Sequence, residues 1–213
     1  MKKLPLIKIV MLLAIAVLTI GTPYAQKSKK GARPSWMTWS RGKDFKHLGP
    51  KRASKIKFCE KESVYLFVVD VTEKEYIEDE EENGFTLDDV EAMASLEASV
   101  EFARRLKTSI DEEVSSGVKN SGKRERVFSR TTNMVTDAKF SGFNKVGSYW
   151  ERKKNQNTGK TEITVSHLYS MCSSTFKDTI ERVAGKLEIE DLSESLTARI
   201  ETAAEDVDDL GDW

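Results

Sequence analysis

The sequence predicts an α+β fold: a small sheet containing antiparallel strands, with a long helix packed on it and an acidic amphipathic helix behind. Three observations carry this. "SVYLFVVDV", from Ser63 to Val71, is a β-rich apolar run that reads as a buried strand. Beyond it, Val90, Met93, Leu96, Val100, Ala103, Leu106, Ile110 and Val114 recur at three- and four-residue spacing, which places them on one face of a long helix. Finally, "FSGFNKVGSYWERK" and "TEITVSHLYSMC" are two strand-like stretches joined by the turn "KNQNTGK", and so form a β-hairpin. One strand, then helices, then a hairpin is the order of an α+β layer.

The chain opens with Lys2, Lys3 and Lys8 before an apolar run from Ile9 to Ile20, followed by small and turn-forming residues up to Ala25. A spanning helix needs roughly 20 apolar residues. This shorter run has the charged, apolar and small-residue regions of a secretory signal, with the cut expected between about residue 21 and residue 26. Residues 1–25 are therefore read as a signal peptide, the alternative being an uncleaved anchor. No cysteine stands near its end to be acylated, so the protein is expected in the periplasm, or held at the outer membrane of a bacterium by protein contacts.

Residues 26–61 form a basic arm, with 12 Lys and Arg against Asp44 and Glu60, a net of +10. Residues 62–186 carry the α+β domain. Residues 187–213 are an acidic helix and tail, with ten acidic residues against Arg199, a net of −9, although the whole chain is near neutral at −1. Such opposed ends can attract each other or a neighbouring copy, or be two solvated tails.

Within the domain, the strand is followed by the acidic loop "TEKEYIEDEEENG". Thr86 and Asp89 have the form of a capping box that opens the long helix, and Gly117 closes it. A second helix is expected over about Glu125 to Lys139. After the hairpin, Ser174 or Thr175 caps a helix carrying Phe176, Ile180 and Val183, stopped at Gly185. Ile189, Leu192, Leu196, Ile200, Ala203, Val207 and Leu210 mark the acidic amphipathic helix, expected to dock back on its own domain.

Candidate chemistry is sparse. "NTGKT" has the GKT of a phosphate-binding loop, but Lys154 stands where the first glycine belongs and the stretch joins two strands, so it reads as a hairpin turn. Asp79, Glu81 and Asn83 alternate before Gly84 as calcium-loop ligands do. Val90 occupies the place of the bidentate glutamate, which leaves at most a weak divalent-cation site. His47 and His167 are the only histidines, and neither has metal-ligand neighbours. No catalytic residue is assigned, no cofactor is implied, and the chain is read as not an enzyme. Cys59 and Cys172, the only cysteines, suit a disulfide in an exported protein, because Cys59 precedes the first strand and Cys172 ends the last. Two free, half-buried thiols remain the alternative.

In "ARPSWMTWSRGKDFKHLGPKR" two tryptophans stand among cations. Such a stretch can stack on single-stranded nucleic acid, which an exported protein rarely meets, or sit at a lipid surface. Pro34 and the glycines deny it a continuous amphipathic helix, so membrane contact would be peripheral. Trp36, Trp39, Arg41 and Lys43 are candidate contact residues, with Leu196 and Ile200 on the acidic helix. The remaining reading is that Pro34-Ser35-Trp36 leads into the domain, Trp36 docking on its edge.

An export signal, the P-x-W segment Pro34-Ser35-Trp36, the strand Val64 to Val71, the helix with Ala92, Ala94, Ala98 and Ala103, and the closing strand and hairpin "FSGFNKVGSYWERKKNQNTGKTEITVSHLYSM" together resemble the twenty-kilodalton outer-membrane lipoprotein family. They are also similar to the N-terminal domain of flagellar T-ring assembly proteins. The resemblance covers about residues 34 to 185 and departs in two ways: the lipidation cysteine is lacking, and the acidic loop and acidic tail helix are additions. It implies a non-catalytic, envelope-associated domain that works through contacts with envelope proteins or by self-association. The alternative is a periplasmic module binding a small ligand or divalent cation through the acidic loop.

Overall fold

The run Val64–Val71 lies in strand β2, Val64–Lys74, and its alternation explains why nearly all of it is apolar. Tyr65, Phe67 and Val69 point to one face of the sheet, into a core shared with three helices. Val64, Leu66 and Val68 point to the other, into a core shared with Trp36, Met37, Ala53, Ile56 and Cys59. A strand covered on both faces needs no polar side. In this computed structural model residues 33–41, 44–54, 56, 59, 61–76, 84–117, 131, 140–187 and 192–206 are described.

The sheet has the strand order β3-β4-β2-β1-β5. Strands β3, Phe143–Lys154, and β4, Thr161–Cys172, form the expected hairpin, with a bulge between Lys145 and Gly147. In its turn the Asn155 side-chain oxygen accepts the N–H groups of Asn157 and Thr158 at 2.9 and 3.2 Å, and Gly159 takes φ +70. Only a residue without Cβ adopts that backbone at no steric cost, which accounts for the glycine of the GKT. Strand β4 continues antiparallel onto β2, Val64 opposite Cys172 and Val71 opposite Val165. The short β1, Lys46–Leu48, pairs antiparallel with β2, and β5, Glu205–Asp206, pairs parallel with β1. The α+β class predicted from sequence is the class of the molecule.

Besides a 3₁₀ helix at Ser35–Arg41, the helices are α1, Pro50–Ala53; α2, Leu87–Gly117; α3, Ser173–Leu187; and α4, Leu192–Ala203. The capping box of α2 is present: the Asp89 N–H donates to Thr86 Oγ1 at 3.3 Å, and the Thr86 N–H donates to Asp89 Oδ2 at 2.9 Å. The Thr86 hydroxyl, donating to Asp89 Oδ2 at 2.6 Å, and the Thr86 N–H hold the Asp89 carboxyl below its ordinary pKa.

The apolar face of α2 needs correction. Leu96 and Val100, expected inside, are 59 % and 55 % exposed, and Met93 is half-buried. The buried ridge is Val90, Ala94, Ala98, Phe102, Leu106, Ile110 and Val114, one residue in four throughout. At 3.6 residues per turn, each such step turns the ridge by about 40°. The helix therefore meets the sheet first, Val90 and Ala94 packing with Ile163 and Val165. Further along it turns toward α4, where Arg199 reaches Glu113.

Two other expectations change. Helix α3 is capped from a distance, not by Ser174 or Thr175: the Glu62 carboxylate accepts the Ser174 N–H at 3.0 Å and the Ser173 hydroxyl at 3.4 Å. It also runs through Gly185 to Leu187. The acidic helix docks back on the domain as expected, and the basic arm joins the same cores. Phe45 and Leu48 from the arm, and Leu192, Leu196 and Ile200 from α4, are core residues. Residues 1–25, expected to be a signal peptide, and the stretch Glu125 to Lys139, expected to be a helix, lie outside the described residues apart from buried Thr131.

Candidate functional site

The arm that was read as a contact element clasps the sheet from both sides. On the back face Trp36 is 4 % exposed, packed with Leu168 and over Gly147. A Cβ at Gly147 would stand 3.3 Å from Leu168 Cβ and 3.4 Å from the indole, so the bulge glycine makes the seat for this ring. Trp39 is half-buried in the same layer, with Val146 and Tyr149. On the helix face Phe45 meets Tyr65, Phe67, Phe102 and Phe176 at ring separations of 5.0 to 6.4 Å.

Arg105 secures the crossing. It is 2 % exposed, and its Nη1 donates to the Asp44 carbonyl at 2.6 Å while Nε donates to Glu101 at 2.7 Å. Burial pulls the guanidinium pKa down and the Glu101 carboxylate opposes it.

The two cysteines are bridged. Cys59 and Cys172 join residues 113 apart, with Cα atoms 5.4 Å apart. Their place is set by register, since Cys172 lies opposite Val64 at the start of β2. The bridge therefore staples the N-terminal layer to the end of β4, and the alternative of two free thiols is set aside.

Leu196 and Ile200, candidates for contact with partners, face inward at 0 % and 3 % exposure and belong to the molecule's own core. Trp36 is likewise core. Arg41 ends the 3₁₀ helix. Lys43 and the loop residues Asp79, Glu81 and Asn83 lie outside the described residues. The neck of that loop is described: the Phe85 N–H donates to the Lys74 carbonyl at 2.8 Å and the Tyr76 N–H to the Phe85 carbonyl at 3.0 Å. Gly84 lies so close to Tyr76 that a Cβ there would stand 2.4 Å from its Cα.

His167 is fully buried on the helix face of β4, and burial, aided by Lys145, lowers its pKa to about 3. Nδ1 lies 3.5 Å from the Tyr169 hydroxyl, and Nε2 has no partner among the described residues. A neutral ring sealed from solvent cannot pass a proton to a substrate outside. Tyr169, buried beside it, is pushed up to about 12. His47 sits in β1 with its ring 5.4 Å from Tyr65.

Between α2 and α4 lies an open cavity of about 530 Å3, lined by Thr108, Asp111, Glu112, Ser115, Ser116 and Arg199. Arg199 holds its two sides together through Glu113 at 2.7 Å, Ser116 at 3.2 Å and Glu112 at 3.4 Å. Among the described residues no three His, Cys, Asp or Glu side chains gather as a metal would require. Nor, among them, is any helix long and apolar enough to cross a membrane. The outward apolar stripe of α2 has no distinct signal in the sequence, because Leu96 and Val100 fit the periodicity of an inner face.

Compared with known proteins, the chain matches no family model, no curated protein and no solved structure.

Proposed function

We propose that this is a non-catalytic protein of the bacterial cell envelope, exported to the periplasm or the outer membrane, that works through contacts with other proteins or with itself. The observation that carries the reading is the Cys59–Cys172 bridge. A disulfide that closes the fold between its N-terminal layer and its central sheet belongs to an oxidising compartment, in keeping with the signal-like opening residues. The resemblance to the outer-membrane lipoprotein family points to the same place.

The charged ends bear on how such contacts are made. Lys46 of the basic arm lies opposite Glu205 of the acidic tail in the parallel β1–β5 register, so the backbones of arm and tail pair there within one chain. The test is in-cell crosslinking of a tagged copy, with mass spectrometry of what is recovered from the envelope fraction. Self-crosslinks or one envelope assembly support the reading. A tagged protein found only in the cytoplasm, or uncrosslinked as a soluble monomer, refutes it.

A further inference from the structure

The large aliphatic residues of α2 divide sharply. Val90, Leu106, Ile110 and Val114 are at most 1 % exposed, whereas Leu96 and Val100 are more than half exposed. These two are one helical turn apart, and half-buried Met93 continues the line three residues earlier. Burying such a stripe removes apolar area from water.

We propose that this stripe is a homodimer surface: Met93, Leu96 and Val100 pack against the same residues of a second copy, with the helices antiparallel and the two-fold axis at Val100. The proposal rests on the reading of the protein as one that works by protein contact, and it names the surface. Charge along the stripe selects the occupant. Glu97 and Arg104 flank Val100 on one side of the helix, and both are exposed, Arg104 with 60 % of its side chain open. Antiparallel pairing about Val100 sets each Glu97 opposite the partner's Arg104, and symmetry makes the contact twice. Parallel pairing would put the two copies of Glu97 on opposite sides of the seam, with no Arg104 across from either. The Arg104 guanidinium is already held in place by Glu101, at 2.8 and 2.9 Å.

The experiment is mild oxidation of purified Val100→Cys protein beside Ser115→Cys, with sedimentation of the wild type, Leu96→Glu, Glu97→Arg and the Glu97→Arg, Arg104→Glu double variant. A residue on the two-fold axis lies next to itself, so Val100→Cys should form a covalent dimer and Ser115→Cys should not; the native cysteines are already bridged. Leu96→Glu and Glu97→Arg should each weaken the dimer by about tenfold or more, and the double charge swap should restore it. A wild type that stays monomeric with Val100→Cys uncrosslinked overturns the proposal. So does Leu96→Glu lowering the melting temperature with no change in mass, since the stripe is then covered by its own chain. Capture of a different envelope protein by a monomer overturns the dimer and leaves the contact reading standing. Failure of both sinks both.

Discussion

His167 shows how far burial can move a single group. Its folded pKa near 3 lies below the ordinary 6.5, so the folded ring stays neutral where the unfolded ring takes a proton. Stability from this group is whole above pH 6.5 and falls as the pH drops from there toward 3. The loss should be about 3 kcal/mol by pH 4. Denaturant unfolding at pH 7 and pH 4 should therefore show a shallower acid loss in His167→Leu than in the wild type, and parallel profiles would refute the buried neutral ring. Arg105 is the opposite case, a charge kept inside by its partners. Arg105→Ala takes the donor from the Asp44 carbonyl and one of two arginines from the Glu101 carboxylate, which keeps Arg104, and should cost about 1–3 kcal/mol. Hydrogen exchange at Asp44 to Leu48 should rise with it; unchanged protection there would mean that Arg105 does not hold the arm.

Among elements, α4 is the informative one. Its composition is acidic, but Leu192, Leu196 and Ile200 recur every four residues, and the docking that this stripe predicts is found: all three are buried. Leu196→Ala should cost about 2–5 kcal/mol, as deletion of a buried leucine does. A thermal midpoint equal to the wild type would show that α4 does not dock. Helix α2 shows why periodicity read from sequence misplaces residues. Three- and four-residue spacings admit both a straight stripe through Leu96 and Val100 and a winding one through Ala94 and Ala98. Hydrophobicity favours the larger residues, but packing close to the sheet favours the small ones. The alanines face inward, and the leucine and valine are left outside.

For the whole molecule the disulfide has the largest reach. It closes a loop of more than a hundred residues and ties the layer beneath Trp36 to the sheet. On the chain-entropy model that should contribute about 4–5 kcal/mol. Urea unfolding with and without reductant measures it: a difference well under 1 kcal/mol would mean the bridge does not constrain the unfolded chain. Reduction should also open the N-terminal layer to protease before the hairpin, because β3 and β4 keep their ladder without the bridge.

The sequence by itself determined the three long strands, the hairpin and its turn, the capping box of α2 and the α+β class, because each is written in neighbouring residues; the short β1 and β5 carry no such local signal. Alternation, a cap three residues from its partner and a turn of Asn, Thr and Gly are local signals. Tertiary structure decided the rest. It chose bridged cysteines over free thiols, drew arm and tail into one core, and brought Glu62 to the start of α3 across 112 residues. It also turned Leu196 inward and Leu96 outward. Composition says which side chains favour burial, but only the sheet's register and the surfaces already laid down say which of them find a place inside.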